Sequence, residues 1–193
     1  MTSSTTTGST DTGSTNTTTS TGADPATTRE QQDLLDTLAK HRGFLQFTMR
    51  DLTDDQARLT PTASVLCLGG LIKHVTAMEE AWVDFVLGKR DGMEFTGDPA
   101  QFEAHAAQFK MLPDDTLEAI LADYDRVARR TDDVIRATPD FGVSQALPEA
   151  PWFEPGAEWS HRRVFLHVIA ETSQHAGHAD IIRETIDGSR TMG

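Results

Sequence analysis

One cysteine, Cys67, in 193 residues excludes an intrachain disulfide framework and any thiolate-rich zinc knuckle. No run of about 18 apolar residues occurs, so no segment reads as a membrane-spanning helix. Cations are scarce: 17 Lys and Arg stand against 30 Asp and Glu, a formal net charge of -13. Nucleic acid and anionic lipid are poor partners for such a chain, because phosphate binding needs clustered Lys and Arg. Strand-like alternation persists nowhere in the part expected to fold. His-Glu-x-x-His, Gly-x-Ser-x-Gly and glycine-rich phosphate loops are missing, and with them zincin, nucleophile-elbow and P-loop chemistry. The paired Glu-x-x-His of ferritin-like di-iron bundles is missing too.

Residues 1–28 contain no lysine or arginine and hardly an apolar side chain, being nearly all Thr, Ser and Gly. Such a segment cannot bury enough surface to offset its ordering entropy, and we expect it to be a disordered tail. It lacks the basic and apolar regions of a secretory signal, which points to a cytoplasmic protein. The tail holds Asp11 and Asp24, so nearly all of the negative charge belongs to residues 29–193. That stretch has the length of one ordinary domain.

What is present there is helical periodicity, four times over. The first segment, "REQQDLLDTLAKHRGFLQFTMRDL", places Leu34, Leu35, Leu38, Phe44, Leu45 and Met49 on one stripe. Pro61 and the polar run "TDDQARLTPT" break the pattern. The second, "LGGLIKHVTAMEEAWVDFVLG", aligns Leu71, His74, Met78, Ala81, Trp82 and Phe85, with Gly88 as its C-terminal cap. A linker with room for a short helix of its own leads to the third, "DTLEAILADYDRVARRTDDVIRA", in which Leu117, Ile120, Leu121, Tyr124, Val127 and Ile135 face inward. After a Pro- and Gly-rich stretch the fourth runs from about Ser160 to Asp187 and closes at Gly188. Four amphipathic helices, each needing a partner face, predict an all-α four-helix bundle.

The last helix carries polar groups where core is expected. His167, Glu171, His175 and His178 recur at steps of four, four and three, within a stripe about 80° wide that also holds Val164 and Ile182. A buried carboxylate or imidazole without a partner costs several kcal/mol, so something must satisfy these groups. A divalent cation is one answer: Glu171 and His175 can converge on it, and His74, within the apolar stripe of the second helix, would supply a third ligand. Core histidines bonded to carbonyls, or a pH-sensitive helix interface, answer the same pattern. His41 and His105 sit in polar surroundings and read as solvent-facing, and His161 reads as a cap or surface residue. Cys67, at the expected start of the second helix, is either an activated thiol or a small buried hydrophobe. Gly69 and Gly70 read as permitting close helix packing.

Two stretches carry a family resemblance. "SVLCLGGLIKHVTAMEEAW", with Glu79 five and Trp82 eight residues after His74, and "VFLHVIAETSQHAGHADIIRETIDG" resemble the DinB/YfiT-like superfamily of metal-binding four-helix bundles, specifically its DUF664 branch. The resemblance implies three metal ligands, here His74, Glu171 and His175. Many members have His-x-x-x-His followed by Arg-Gly-Gln; this chain has Glu171 and His175 followed by Ala-Gly-His. That set is similar to the His/Glu/His ligands of mycothiol-dependent maleylpyruvate isomerase, another member, and leaves His178 and His167 as outer-shell residues or alternative ligands. The implied activity is a metal-dependent thiol S-transferase or isomerase using a low-molecular-weight thiol such as mycothiol, in detoxification. A metal-dependent hydrolase and a non-catalytic metal-binding stress-response bundle are the alternatives. The implied metal is zinc, with nickel or iron served by the same ligands. Arg42, Arg162 and Arg183 are the candidates to anchor the thiol's polar groups. Small-molecule thiol and electrophile are the expected partners, with a homodimer as a further candidate.

Overall fold

The computed structural model describes residues 1–2, 27–89, 93 and 96–191; the disorder expected of residues 1–28 falls almost wholly outside them. Among the described residues the chain forms six helices and one small hairpin: α1 (Arg29–Phe47), α2 (Asp54–Arg58), α3 (Leu68–Val86), α4 (Pro99–Gln108), α5 (Leu117–Ala137), β1 (Ser144–Ala146), β2 (Glu158–Ser160) and α6 (His161–Asp187). None of these helices is long and apolar enough to cross a membrane.

Each start is marked by a side chain that accepts from an otherwise unpaired backbone N–H of the first turn. Thr28 with Gln31, and Thr53 with Gln56, form reciprocal capping boxes. Asp98 caps α4, where Pro99 opens the helix without losing a needed donor. Thr116 and Ser160 cap α5 and α6. Gly188 closes α6 at φ 82°, a left-handed conformation that costs glycine nothing.

The four long helices, α1, α3, α5 and α6, are the four periodic segments, and their apolar stripes meet. α1 packs on α6 and α5, and α3 packs on α5 and α6. One core cluster gathers Leu45, Leu68, Leu71, Ile72, Val75, Tyr124, Ala179 and Ile182. The other gathers Leu34, Leu38, Phe85, Ile135, Phe141, Phe165 and Val168. Along each helix a buried polar residue falls between the two: Arg42 on α1, Glu79 on α3, Thr131 on α5 and Thr172 on α6.

Two expectations need correcting. The run "TDDQARLTPT" does not simply break the chain, because the Thr53–Gln56 capping box winds Asp54–Arg58 into α2 before Pro61. Strands also exist, with Ser144, Gln145 and Ala146 paired antiparallel to Ser160, Trp159 and Glu158. Three residues are too few to show alternation in sequence. The hairpin's effect is on packing: it lays Trp159 flat against Trp82 of α3, ring centroids 4.7 Å apart.

The glycine pair sets how closely α4 docks. A Cβ on Gly70 would lie 2.0 Å from the carbonyl oxygen of Phe109, which is backbone and cannot yield as a side-chain end would. Gly70→Ala should therefore cost about 2–3 kcal/mol, as overpacking does. Gly43, with nothing within 4 Å of its added Cβ, is the matched control. Gly43→Ala should stabilise α1 by about 0.5–1 kcal/mol. Urea midpoints of the two variants are expected to move in opposite directions.

Candidate metal centre

α6 supplies the centre of the cluster. Its stripe brings Glu171 between two imidazoles one turn to either side: Oε1 lies 3.7 Å from His167 Nε2 and Oε2 lies 3.5 Å from His175 Nε2. α3, packed alongside, brings His74 to His175 with ring centroids 4.9 Å apart and planes nearly perpendicular. One ligand atom each from His74, Glu171 and His175 lie within 4.8 Å of one another. The two histidines are buried, while the Glu171 side chain keeps 28% of its exposure and so opens the cluster to solvent.

Burial decides the charge state. Desolvation, with the neighbouring His175 as the next cause, pulls the His74 pKa down to about 4. Desolvation likewise lowers His175 and His167, against the opposing attraction of Glu171. Both cluster imidazoles are thus neutral at pH 7, the form that ligates a metal. Nδ1 of His74, of His175 and of His178 is buried and makes no hydrogen bond to protein. Buried nitrogens with no protein partner leave room for a cation or its bound water, while the His175 nitrogen that faces Glu171 is Nε2. The donor set, two imidazoles and one carboxylate, suits zinc, nickel or iron.

The remaining residues singled out from sequence fall as follows. His178 lies beside His175, ring centroids 5.6 Å apart. His167 makes edge contacts with Trp82 and Trp159, each at 5.1 Å. Cys67 is the buried N-cap of α3, its sulfur accepting from the Gly70 N–H at 3.4 Å. His161 is the first residue of α6, one place after its cap Ser160, and sits 3.2 Å from the Gln145 amide. Arg42 is buried and ion-paired to Glu79 and Asp132. Arg183 is buried, donating to the carbonyls of Thr48 and Arg50 and pairing with Asp187. Arg162 is exposed and pairs with Glu30.

His105 has a neighbour that the sequence reading did not foresee. It is exposed, as a polar neighbourhood suggested, yet its ring stands edge-on to His74, centroids 6.0 Å apart. Phe109, one turn later and the C-cap of α4, stacks on the His74 ring at 3.9 Å. Gln108 offers a polar side-chain contact to it. Periodicity within α4 pairs His105 with Phe109 but says nothing about α3. The signal that points to the docking is the glycine pair one turn before His74.

The helical bundle and its His/Glu cluster are the architecture that the resemblance to DinB/YfiT-like proteins implied. A family model described as Mycothiol-S-transferase matches residues 33–188, and the chain belongs to that family. A search of curated proteins returned no match. Among solved structures, the chain is similar to a conserved protein from Enterococcus faecalis, with a TM-score of 0.61 and 14% identity. That likeness covers 84% of this chain and 99% of the other, and it shows the shared fold.

Proposed function

We propose that the protein is a metal-dependent mycothiol S-transferase acting in detoxification, with His74, Glu171 and His175 as the ligands of one divalent cation, zinc foremost. Family membership supports the transferase activity. The single observation behind metal dependence is the convergence of those three side chains from α3 and α6. A cation held there would lower the pKa of an incoming thiol, so that thiolate forms near neutral pH and attacks an electrophile. The chain needs no nucleophile of its own, in keeping with Cys67 being enclosed at the start of α3.

The protein's part is to hold the site in shape. Phe109 covers one face of the His74 ring and excludes water from it. Trp82 and Trp159 brace His167, which leans on Glu171 from the side away from His175. Such outer partners orient ligands and set their basicity. His167 and His178 are therefore proposed as outer-shell groups. The chain is proposed to belong to the DUF664 branch, and its resemblance to the mycothiol-dependent isomerase supports Glu171 in place of a third histidine. Support for the arginine anchors is unequal. Arg183 lines a polar cleft of about 260 Å³ and Arg162 faces solvent, whereas Arg42 would have to leave its buried partners.

Residues 29–193 are proposed to be the single folding unit, located in the cytoplasm. Because Thr28 caps α1, removal of residues 1–27 should leave the melting temperature nearly unchanged. A large fall would show that the preceding segment packs on the bundle.

The direct test is conjugation of an aryl chloride electrophile with mycothiol, with and without a chelator. Product formation abolished by the chelator and restored by zinc is expected. Conjugation that survives complete metal removal would sink metal dependence, and ester cleavage without thiol would favour a hydrolase.

A further inference from the structure

α4 buries none of its own residues, and the tight contact with the start of α3 is made by the segment that follows it, Phe109 and Lys110. The contact is backbone-close: Gly70 lies under the Phe109 carbonyl, and the Cys67 sulfur comes within 3.9 Å of the same oxygen. The apolar part of that contact comes from Phe109, packed against the core, and from Met111, buried in it and lying over Gly69. The same contact brings the end of α4 to His74, with the His105 ring edge-on to it and the C-cap Phe109 stacked on it.

We propose that His105 is a further ligand of the cation held by His74, Glu171 and His175. The inference rests on the metal reading above. A metal–nitrogen bond of about 2.0–2.1 Å puts an imidazole centroid about 3.2 Å from the ion, so two rings on one ion stand at most about 6.4 Å apart. The His74–His105 separation of 6.0 Å and the His74–His175 separation of 4.9 Å both fall inside that limit. The three-residue cluster itself does not include His105, so ligation requires rotation of the His105 side chain. An exposed side chain makes such rotamer changes readily, in contrast to the buried His74 and His175. His105 therefore completes the donor set from a third helix. It is also the ligand that an incoming thiol can replace at least cost, since its ring is the solvent-facing one.

Cobalt(II) substitution tests this without reference to activity. Each ligating imidazole contributes a non-exchangeable ring C–H proton resonance shifted far from the diamagnetic range by the bound cobalt, which solvent exposure does not remove. The full-length chain is expected to show one more such resonance than His105→Ala, and the variant should bind cobalt at least about 10-fold more weakly in competition with a chromophoric chelator. Equal resonance counts in the two proteins would overturn the inference while leaving the three-ligand site standing. Absence of shifted resonances from both would overturn the metal site and the inference together. Because His105 is exposed, the melting temperature of metal-free His105→Ala should match that of the unaltered chain, which separates ligand loss from misfolding.

Discussion

His74→Ala is expected to leave a folded protein that binds a divalent cation at least about 100-fold more weakly than the unaltered chain. Removing even an outer-shell partner typically costs 10–100-fold, and His74 is the buried ligand contributed by α3, without which only Glu171 and His175 of the three-residue cluster remain. Thermal stability gives a second readout. A cation present at 100 times its dissociation constant stabilises the native state by about 2.7 kcal/mol, so added zinc should raise the melting temperature of the unaltered protein and not of His74→Ala. His175→Ala should behave alike. Elemental analysis of protein purified without added metal checks both: a full equivalent of metal retained by either variant removes that residue from the ligand set. The variants should still fold, because truncating a neutral imidazole leaves no buried charge behind, and Glu171 keeps its access to solvent.

The largest loss of stability is expected from Arg42→Ala. Arg42 is 5% exposed and its partner Glu79 is fully buried, the two joined across α1 and α3. A second bond at 2.8 Å ties the same guanidinium to Asp132 on α5. Desolvation opposes the charge on Arg42, but Glu79 and Asp132 outweigh it and hold its pKa above the usual value. Removing the arginine strands the Glu79 carboxylate in the core, which typically costs 3–5 kcal/mol. Glu79 is already short of partners: its Oε2, the Arg42 Nε and the Tyr124 hydroxyl are buried without a hydrogen bond to protein. Substituting both members with apolar residues, Arg42→Met with Glu79→Leu, removes the stranded charge and should recover most of the loss. Urea denaturation decides the matter. A cost below about 1 kcal/mol for Arg42→Ala would mean that water reaches Glu79 and that the polar layer contributes little.

That pair also shows where sequence reasoning lost its grip. In the sequence Arg42 is a candidate anchor for the thiol's polar groups, and nothing there shows that it is 5% exposed in the structure. Its long apolar stem nevertheless lets it run through the core to reach an acid on another helix. Glu79 appears in the sequence as one letter of a family motif, with no sign that it would be fully buried. Arg183 follows the same pattern, buried against the carbonyls of Thr48 and Arg50.

What the sequence determined by itself lies within single helices. Rise and turn per residue are fixed by the backbone, so the stripes of α1, α3, α5 and α6 and the meeting of Glu171 with His175 could be read from spacing, and the close of α6 at Gly188 from residue type. Two stretches of residues sufficed to carry the family. Only the tertiary structure decided what passes between helices: the 4.9 Å approach of His74 to His175, the Trp82–Trp159 stack made by the hairpin, and the placing of His105 over His74. Those distances depend on how closely two backbones come together, and a single missing Cβ at Gly70 sets that for α4. No periodicity along one helix encodes it.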